Sequence, residues 1–141
     1  MLTGEYSHSI DAKSRLIIPA KIRDEIGDRF ALTRGQDGCL LLYPESEWEE
    51  FVMKLQKLPS SKPQVRTIRR FYIGGAMESE FDKQGRILIP ANLLEYAGIG
   101  KEEEAIVVGV GSHVEIWSAK KWSEDSFDDI GAIAEELDLD F

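Results

Sequence analysis

The sequence predicts a protein of the α+β class, mainly β, in which one structural unit occurs twice. Segment 11–20 reads DAKSRLIIPA and returns at 82–91 as DKQGRILIPA. Beyond this repeat, Tyr43 and Trp48 correspond to Trp117 and Trp122. Short runs of Val, Ile and Leu alternate with glycine-containing turns, a pattern typical of β-hairpins. A repeat of this kind indicates two copies of one supersecondary unit.

Each copy begins with a hairpin that has a three-residue turn. The strands are predicted over 5–11 and 15–19 in the first copy, and over 78–82 and 86–90 in the second. Such a turn often places a residue at positive φ just before the return strand. Gly85 suits this conformation better than Ser14, so we expect the two turns to differ.

A short helix follows each hairpin. Pro19 and Pro90 supply the backbone angle of a first helical turn, and Gly27 and Gly98 provide the stops. A second hairpin then follows, with strands predicted over 30–33 and 39–43 in the first copy and over 105–110 and 114–117 in the second. Their continuous apolar runs indicate strands buried on both faces.

An amphipathic helix closes the first copy. Its apolar stripe begins at Trp48, and Ser46 and Glu49 have the spacing of a capping box. A proline- and serine-rich break at 59–63 and a short helix from about 64 to 72 lead into the second copy.

The chain is predicted to have four parts: repeat 1 at 4–51, a helical linker at 52–74, repeat 2 at 75–122, and an acidic helix or tail at 123–141. Units this small bury little surface alone, so the two copies should share a core. The tail has apolar residues at helical spacing, which predict a helix packed on its own chain. Alternatively, its carboxylates shield a basic surface.

The charge and the cysteine content limit the functions that the chain can have. The net charge is −9, but residues 1–100 contain fourteen Lys or Arg and fourteen Asp or Glu. The acidic excess therefore lies in the C-terminal part, and the repeated body remains compatible with a polyanion. Cys39 is the single cysteine, which excludes an internal disulfide and indicates a small buried thiol. No signal peptide or membrane span is recognisable, which favours the cytoplasm.

The sequence offers little for catalysis. His8 and His113 are the only histidines, and the chain has no His/Cys cluster and no phosphate-binding glycine loop. We therefore predict no enzyme activity, no cofactor, no metal and no small-molecule substrate. The three tryptophans are expected in the core and not in a base-stacking platform.

The repeated Asp-x-x-x-Arg turn is the leading candidate for function. Asp11 and Arg15, like Asp82 and Arg86, should face each other across the hairpin, so that each carboxylate orients a guanidinium. The pair either maintains turn geometry alone or presents the arginine to a polyanion, and the residues leave both alternatives open. An oriented arginine can read the O6/N7 edge of guanine.

Nearby lysines and arginines favour the polyanion. Lys13 and Lys83 lie in the turns, where lysine suits phosphate contacts, and Lys21 follows the first hairpin. Lys21 and Arg23 have uncharged counterparts in the second copy, so the first turn should contribute more. Arg66, Arg69 and Arg70 form a second basic group, which is a further DNA patch, a subunit contact or a solvated face.

The ordered motifs resemble those of the MraZ family, bacterial transcriptional regulators built from two AbrB-like (SpoVT-AbrB) swapped-hairpin units. They are Gly4-Glu5-Tyr6, both Asp-x-x-x-Arg turns, Pro19-Ala20-Lys21, Leu32-Thr33-Arg34-Gly35, Cys39-Leu40, and Tyr43-Pro44 before Trp48. The resemblance implies one pseudo-symmetric β-barrel with flanking helices and a ring-shaped homo-oligomer. It also implies binding to double-stranded DNA repeats upstream of the protein's own gene, in the division and cell wall cluster, with Arg15 and Arg86 as the signature arginines.

A closed ring has head-to-tail contacts, which present the turns with one polarity at regular intervals. We therefore expect direct repeats about 10 bp apart. The resemblance further implies repression of the protein's own promoter and association with the nucleoid. The alternative is a ring-forming protein-interaction scaffold without specific DNA binding, in which the Asp/Arg turns serve assembly.

Overall fold

A computed structural model describes residues 1–125 and 127–139. In this part of the chain, eight strands and six helices follow in the order β1 (Glu5–Ser9), β2 (Arg15–Ile17), α1 (Ala20–Ile26), β3 (Arg29–Arg34), β4 (Leu40–Pro44), α2 (Glu45–Gln56), α3 (Pro63–Tyr72), β5 (Met77–Glu80), β6 (Arg86–Leu88), α4 (Ala91–Ala97), β7 (Glu104–Gly109), β8 (Val114–Ser118), α5 (Ala119–Glu124) and α6 (Ile130–Glu136). The predicted hairpins and the helices that begin after Pro19 and Pro90 are confirmed, with ends that differ by one or two residues.

The two copies exchange their first hairpins. Six strands form one sheet in the order β1-β7-β8-β4-β3-β5, which reads the same from either end when the copies are interchanged. Strand β1 of the first copy pairs with β7 of the second, with Glu5 opposite Val108. Strand β5 of the second copy pairs with β3 of the first, with Glu80 opposite Arg29. The strand pairing thus confirms the swapped hairpins that the family resemblance implies.

Strands β2 and β6 pair only with each other and form a separate antiparallel ribbon. Among the described residues, the pairing of the large sheet runs from β1 to β5 without joining these two end strands. The α+β class is therefore confirmed, whereas the closed barrel and the four-part division of the chain stay predictions.

One apolar core serves both copies. Leu16 and Ile18 of the first copy and their counterparts Ile87 and Ile89 of the second are at most 1% exposed and belong to the same cluster. Apolar burial of this extent is the main favourable contribution to folding. Neither copy closes this core alone, as expected from the size of the units.

A second, aromatic cluster lies under α2, α3 and α5. Trp48 and Trp117 are 5% and 8% exposed within it and Trp122 packs against it, which confirms that the tryptophans belong to the core. Cys39 is buried in the same cluster, and desolvation raises the pKa of its thiol to about 12. It is the buried thiol that the sequence predicts.

Two local expectations are wrong. Helix α2 begins at Glu45 after Pro44, whose φ of −56° already suits a helix, so Ser46 lies inside the first turn and makes no capping box. Helix α6 buries none of its residues, so the predicted packing of this helix on its own chain is not found among the described residues. The side chains left exposed in this segment are Phe127, Ile130, Ile133, Leu137 and Leu139.

Candidate nucleic-acid interface

The two Asp-x-x-x-Arg turns have the same backbone conformation. The Oδ1 atom of Asp11 accepts hydrogen bonds from the amides of Lys13 and Arg15, each at 2.9 Å. Asp82 accepts the equivalent pair from Gln84 and Arg86 at the same distances. Such side-chain acceptance by aspartate is the usual way in which this residue stabilises a turn.

The third turn residue has positive φ in both copies, 63° at Ser14 and 77° at Gly85. The expectation that the turns differ is therefore wrong. Each of these two residues is also fixed by the opposite copy, because Ile89 donates its amide to the Ser14 carbonyl at 2.9 Å and Ile18 donates to that of Gly85 at 3.0 Å. Serine is held at positive φ by its surroundings.

Each aspartate also orients its arginine. The Nε of Arg15 donates to Oδ2 of Asp11 at 2.7 Å, and that of Arg86 donates to Oδ2 of Asp82 at 2.8 Å. This confirms that the two side chains face each other across the hairpin. Because each ion pair uses Nε, the terminal nitrogens point onward, and Nη1 of Arg86 lies 4.0 Å from Asp11 Oδ2. The arginine side chains are 30% and 22% exposed.

The same contacts keep both carboxyl groups ionised. Desolvation raises the pKa of Asp11, but hydrogen bonds from the Arg15 amide and guanidinium and from the Lys13 amide outweigh it and hold the pKa below the ordinary value. At Asp82, the hydrogen bond from the Arg86 amide is the largest influence and the pKa is again lowered. Both shifts thus favour the ionised form of the carboxyl group that accepts these hydrogen bonds.

The β2–β6 ribbon brings the two arginines to one surface. Its register sets Arg15 opposite Leu88 and Arg86 opposite Ile17. Residues opposite one another, or two apart along a strand, share a face of the ribbon. We call this surface the arginine face, and it consists of Arg15, Ile17, Arg86 and Leu88.

The arginine face is exposed, whereas the opposite face of the ribbon carries the buried Leu16 and Ile87. Ile17 is 44% and Leu88 58% exposed, although both are large apolar residues. The sequence analysis missed these two side chains as candidates. The signal was the alternation along each return strand, where a buried residue stands between the arginine and the exposed aliphatic residue.

The predicted lysines lie in different places. Lys13 and Lys83 are exposed in the turns themselves, at the second and first turn positions. Lys21 is exposed on α1, where it lines a small cleft with Leu2 and Thr3 of the N-terminal segment. It therefore faces away from the turns.

Arg23 belongs to the second turn. Its guanidinium lies so close to Gly85 that a Cβ at this glycine would overlap it. The sequence analysis grouped Arg23 with the first turn, which is wrong, because the hairpin exchange sets α1 of the first copy against the turn of the second. The corresponding residue of the second copy is the buried Leu94. In the described residues, the buried Nε of Arg23 makes no hydrogen bond.

Arg69 and Arg66 of the second basic group have a structural use that the sequence analysis did not anticipate, whereas Arg70 is exposed, as expected for a solvated face. Arg69 donates hydrogen bonds to the carbonyls of Leu55, Gln56 and Leu58 at 2.8 to 3.2 Å, at the C-terminal end of α2. Arg66 donates to the Ser60 carbonyl at 2.9 Å. Basic side chains at this end of a helix satisfy carbonyls that lack partners within the helix.

Other kinds of site find little support. Over residues 1–125 and 127–139, no three or more His, Cys, Asp or Glu side chains are grouped so that they could hold a metal ion. No helix in the same described ranges is both long and apolar enough to cross a membrane. His8 lies in β1 and is half-buried, whereas His113 stacks on Tyr43 with ring centroids 4.8 Å apart.

Comparison with known proteins matches this chain to one family model over two segments. The model is described as "MraZ protein, putative antitoxin-like", and it matches residues 1–71 and 72–130. The two segments correspond to the two copies that exchange hairpins.

Three similar proteins each carry the name "Transcriptional regulator MraZ". That of Thermoanaerobacter sp. (strain X514) is 52% identical over 141 residues, which cover 98% of this chain and 97% of the relative. That of Clostridium acetobutylicum is 50% identical, with coverage of 97% and 96%. That of Halothermothrix orenii is 47% identical, with coverage of 99% and 100%. The similarity extends over nearly the full length of both partners in each comparison.

Proposed function

This chain belongs to the MraZ family, and on that premise we propose that it regulates transcription by binding specific sequences of double-stranded DNA. The observation that carries the proposal is the arginine face. Two arginines, each oriented by its own aspartate, lie on one exposed side of a two-stranded ribbon. A two-stranded β-ribbon is one of the elements that fit the major groove of B-DNA.

The proposed contacts follow from side-chain chemistry. Arg15 and Arg86 contact base edges through their terminal nitrogens, since a planar guanidinium can bind guanine at two points. One of these nitrogens, Nη1 of Arg86, also lies 4.0 Å from Asp11 Oδ2. Asp11 and Asp82 position these arginines. Lys13 and Lys83 supply phosphate contacts, which fix the register without reading sequence.

Arg23 and Lys21 are two further candidates for DNA contacts, and the observations favour Arg23 more than Lys21. Arg23 adds positive charge beside Gly85, so the two turns carry more similar charge than the sequence suggests. Lys21 faces the N-terminal segment, and we retain it only as a contact to flanking phosphates.

The finer features remain part of the proposal. They are a pseudo-symmetric barrel completed around the ribbon, a ring-shaped homo-oligomer, and binding to direct repeats in the protein's own promoter, with repression as the outcome. Because the strand exchange is completed within one chain, outer surfaces remain available for assembly. A regulator of this kind acts in the cytoplasm at the nucleoid, and the proposal assigns it no catalytic chemistry.

The second candidate is a ring-forming scaffold that binds no specific DNA. The exposed apolar side chains of segment 127–139 favour it, because exposed apolar residues are common at protein contacts. Mass measurement in solution for wild type and for a chain shortened before residue 127 tests the assembly role of this segment. A smaller oligomer in the shortened chain supports it, and an unchanged mass contradicts it.

Fluorescence anisotropy tests the main proposal. A labelled fragment from upstream of the protein's own gene is titrated with wild type, with Arg15→Ala and with Lys54→Ala, and a scrambled fragment serves as the reference. Lys54→Ala removes one exposed positive charge from α2 and is the matched control. The titrations are repeated at several salt concentrations, because phosphate contacts make affinity salt-dependent.

We expect specific binding by wild type and by Lys54→Ala. Arg15→Ala should lose roughly 1 to 3 kcal/mol per engaged site, about 5- to 150-fold, on the specific fragment and much less on the scrambled one. Equal losses on both fragments would reduce Arg15 to a phosphate contact. No preference of wild type over scrambled DNA at any salt concentration would favour the scaffold.

A further inference from the structure

The arginine face contains two large aliphatic side chains that no part of the fold covers. Ile17 and Leu88 are 44% and 58% exposed, although the residues on the other side of the same strands are fully buried. They stand at equivalent positions of the two copies, each two residues after its arginine. The ribbon therefore presents the combination of one arginine and one aliphatic residue twice.

The register sets these side chains between the cations. Ile17 is directly opposite Arg86, and Leu88 is directly opposite Arg15. Opposite residues have Cβ atoms about 5 Å apart, and residues two apart along a strand are about 6.7 Å apart. Each aliphatic side chain therefore shares the arginine face with both arginines, and a molecule that binds across this face meets Ile17 and Leu88 as well.

A partner that fits this face is a polyanion whose apolar groups lie beside the groups that the arginines bind. In the major groove of DNA, the C5-methyl group of thymine is the apolar feature, and it lies beside the base edges that arginine reads. An aliphatic side chain gains from contact with this methyl group, and cytosine has only a hydrogen at the same C5 position.

We propose that Ile17 and Leu88 are specificity-determining residues that contact thymine methyl groups next to the bases read by the arginines. This inference rests on the proposed function and adds a base preference to it. Each half of the arginine face then selects a guanine through its arginine and a neighbouring thymine through its aliphatic residue.

The test compares thymine with deoxyuridine, which lacks only the C5-methyl group. The fragment upstream of the protein's own gene is made once with thymidine and once with deoxyuridine throughout, so the operator need not be known in advance. Wild type and the double variant Ile17→Ser/Leu88→Ser are titrated against both fragments. Leu58→Ser is the matched control, because Leu58 is 41% exposed and lies beyond α2, outside the ribbon.

Loss of one buried methyl contact corresponds to about fourfold in affinity, from about 0.8 kcal/mol per methyl-sized group. We expect wild type and Leu58→Ser to bind the deoxyuridine fragment about 4- to 15-fold more weakly than the thymidine fragment. The double variant should bind the thymidine fragment more weakly and lose its discrimination between the two fragments. Any effect of deoxyuridine on DNA shape acts on all three proteins alike and cancels in this comparison.

Several results would overturn the inference. Specific binding by wild type that ignores the methyl groups would leave the proposed function intact but remove the role of Ile17 and Leu88. A double variant that keeps the discrimination of wild type would do the same. If the double variant has an altered oligomeric mass but still distinguishes the two fragments, the arginine face is a subunit contact. Failure of wild type to prefer this fragment over scrambled DNA would instead refute the proposed function itself.

Discussion

Thr33 provides the most direct test of how the linker helix is held. Its side chain is fully buried in β3, and Oγ1 donates a hydrogen bond of 2.6 Å to the carbonyl of Tyr72, the last residue of α3. The last carbonyls of a helix have no partner within the helix, so this hydroxyl replaces one. Thr33→Val keeps the volume and removes the donor, which isolates the hydrogen bond from any cavity.

The expected cost follows from the carbonyl that is left unpaired. An unsatisfied buried acceptor costs about 1 to 3 kcal/mol. For a chain of this size, 1 kcal/mol corresponds to a shift in Tm of roughly 2 to 4 °C, so Thr33→Val should lower Tm by about 2 to 12 °C. Thermal unfolding followed by circular dichroism, together with urea titration, measures both quantities.

The matched control is Thr67→Val. Thr67 is exposed on α3, and its Oγ1 donates to the Pro63 carbonyl at 3.1 Å in the same helix. Surface substitutions of this kind usually change stability by less than about 0.5 kcal/mol. If Thr33→Val costs no more than Thr67→Val, the reasoning is refuted, and the buried hydroxyl contributes nothing beyond its shape.

Three further outcomes are expected. Burial lowers the pKa of His113, so the unfolded chain binds the proton more readily than the folded one. The contribution of His113 to stability should be complete above about pH 6.5 and decline as the pH falls below that value. In urea titrations, His113→Phe, which keeps the stacking on Tyr43, should lose less stability than wild type between about pH 7.5 and 5. Native protein at neutral pH should not react with a thiol reagent at Cys39, whereas urea-unfolded protein should, and rapid native labelling would contradict this. Gly85→Ser should lower Tm, because a side chain at this positive φ is strained and its Cβ would overlap the Arg23 guanidinium, whose Nε is buried; displacement of that guanidinium should also weaken DNA binding, and unchanged affinity would remove Arg23 from the interface.

Local patterns predicted local structure well. The repeat predicted both hairpins, the helices after Pro19 and Pro90, and the facing pairs of aspartate and arginine. Each of these features depends on residues that are close together in the sequence. The capping box failed for a similarly local reason, since Pro44 begins the helix before Ser46 can cap it.

Long-range packing decided what the sequence analysis missed. Arg23 is distant from Gly85 in sequence and meets it only through the hairpin exchange. The carbonyl of Ser14, whose φ is positive, accepts a hydrogen bond from Ile89 of the other copy. Likewise, the exposure of Ile17 and Leu88 is set by the pairing of β2 with β6, whereas an aliphatic residue in a short strand is usually read as part of the core.

The hairpin exchange also has a consequence for synthesis of the chain. Strand β1 is made first, but its partner β7 follows roughly a hundred residues later, with Glu5 opposite Val108. At typical translation rates of about 5 to 20 residues per second, β1 waits roughly 5 to 20 s for this partner. The nascent first half therefore emerges with an unpaired strand and an incomplete apolar core. Its folding therefore waits for the second half of the chain.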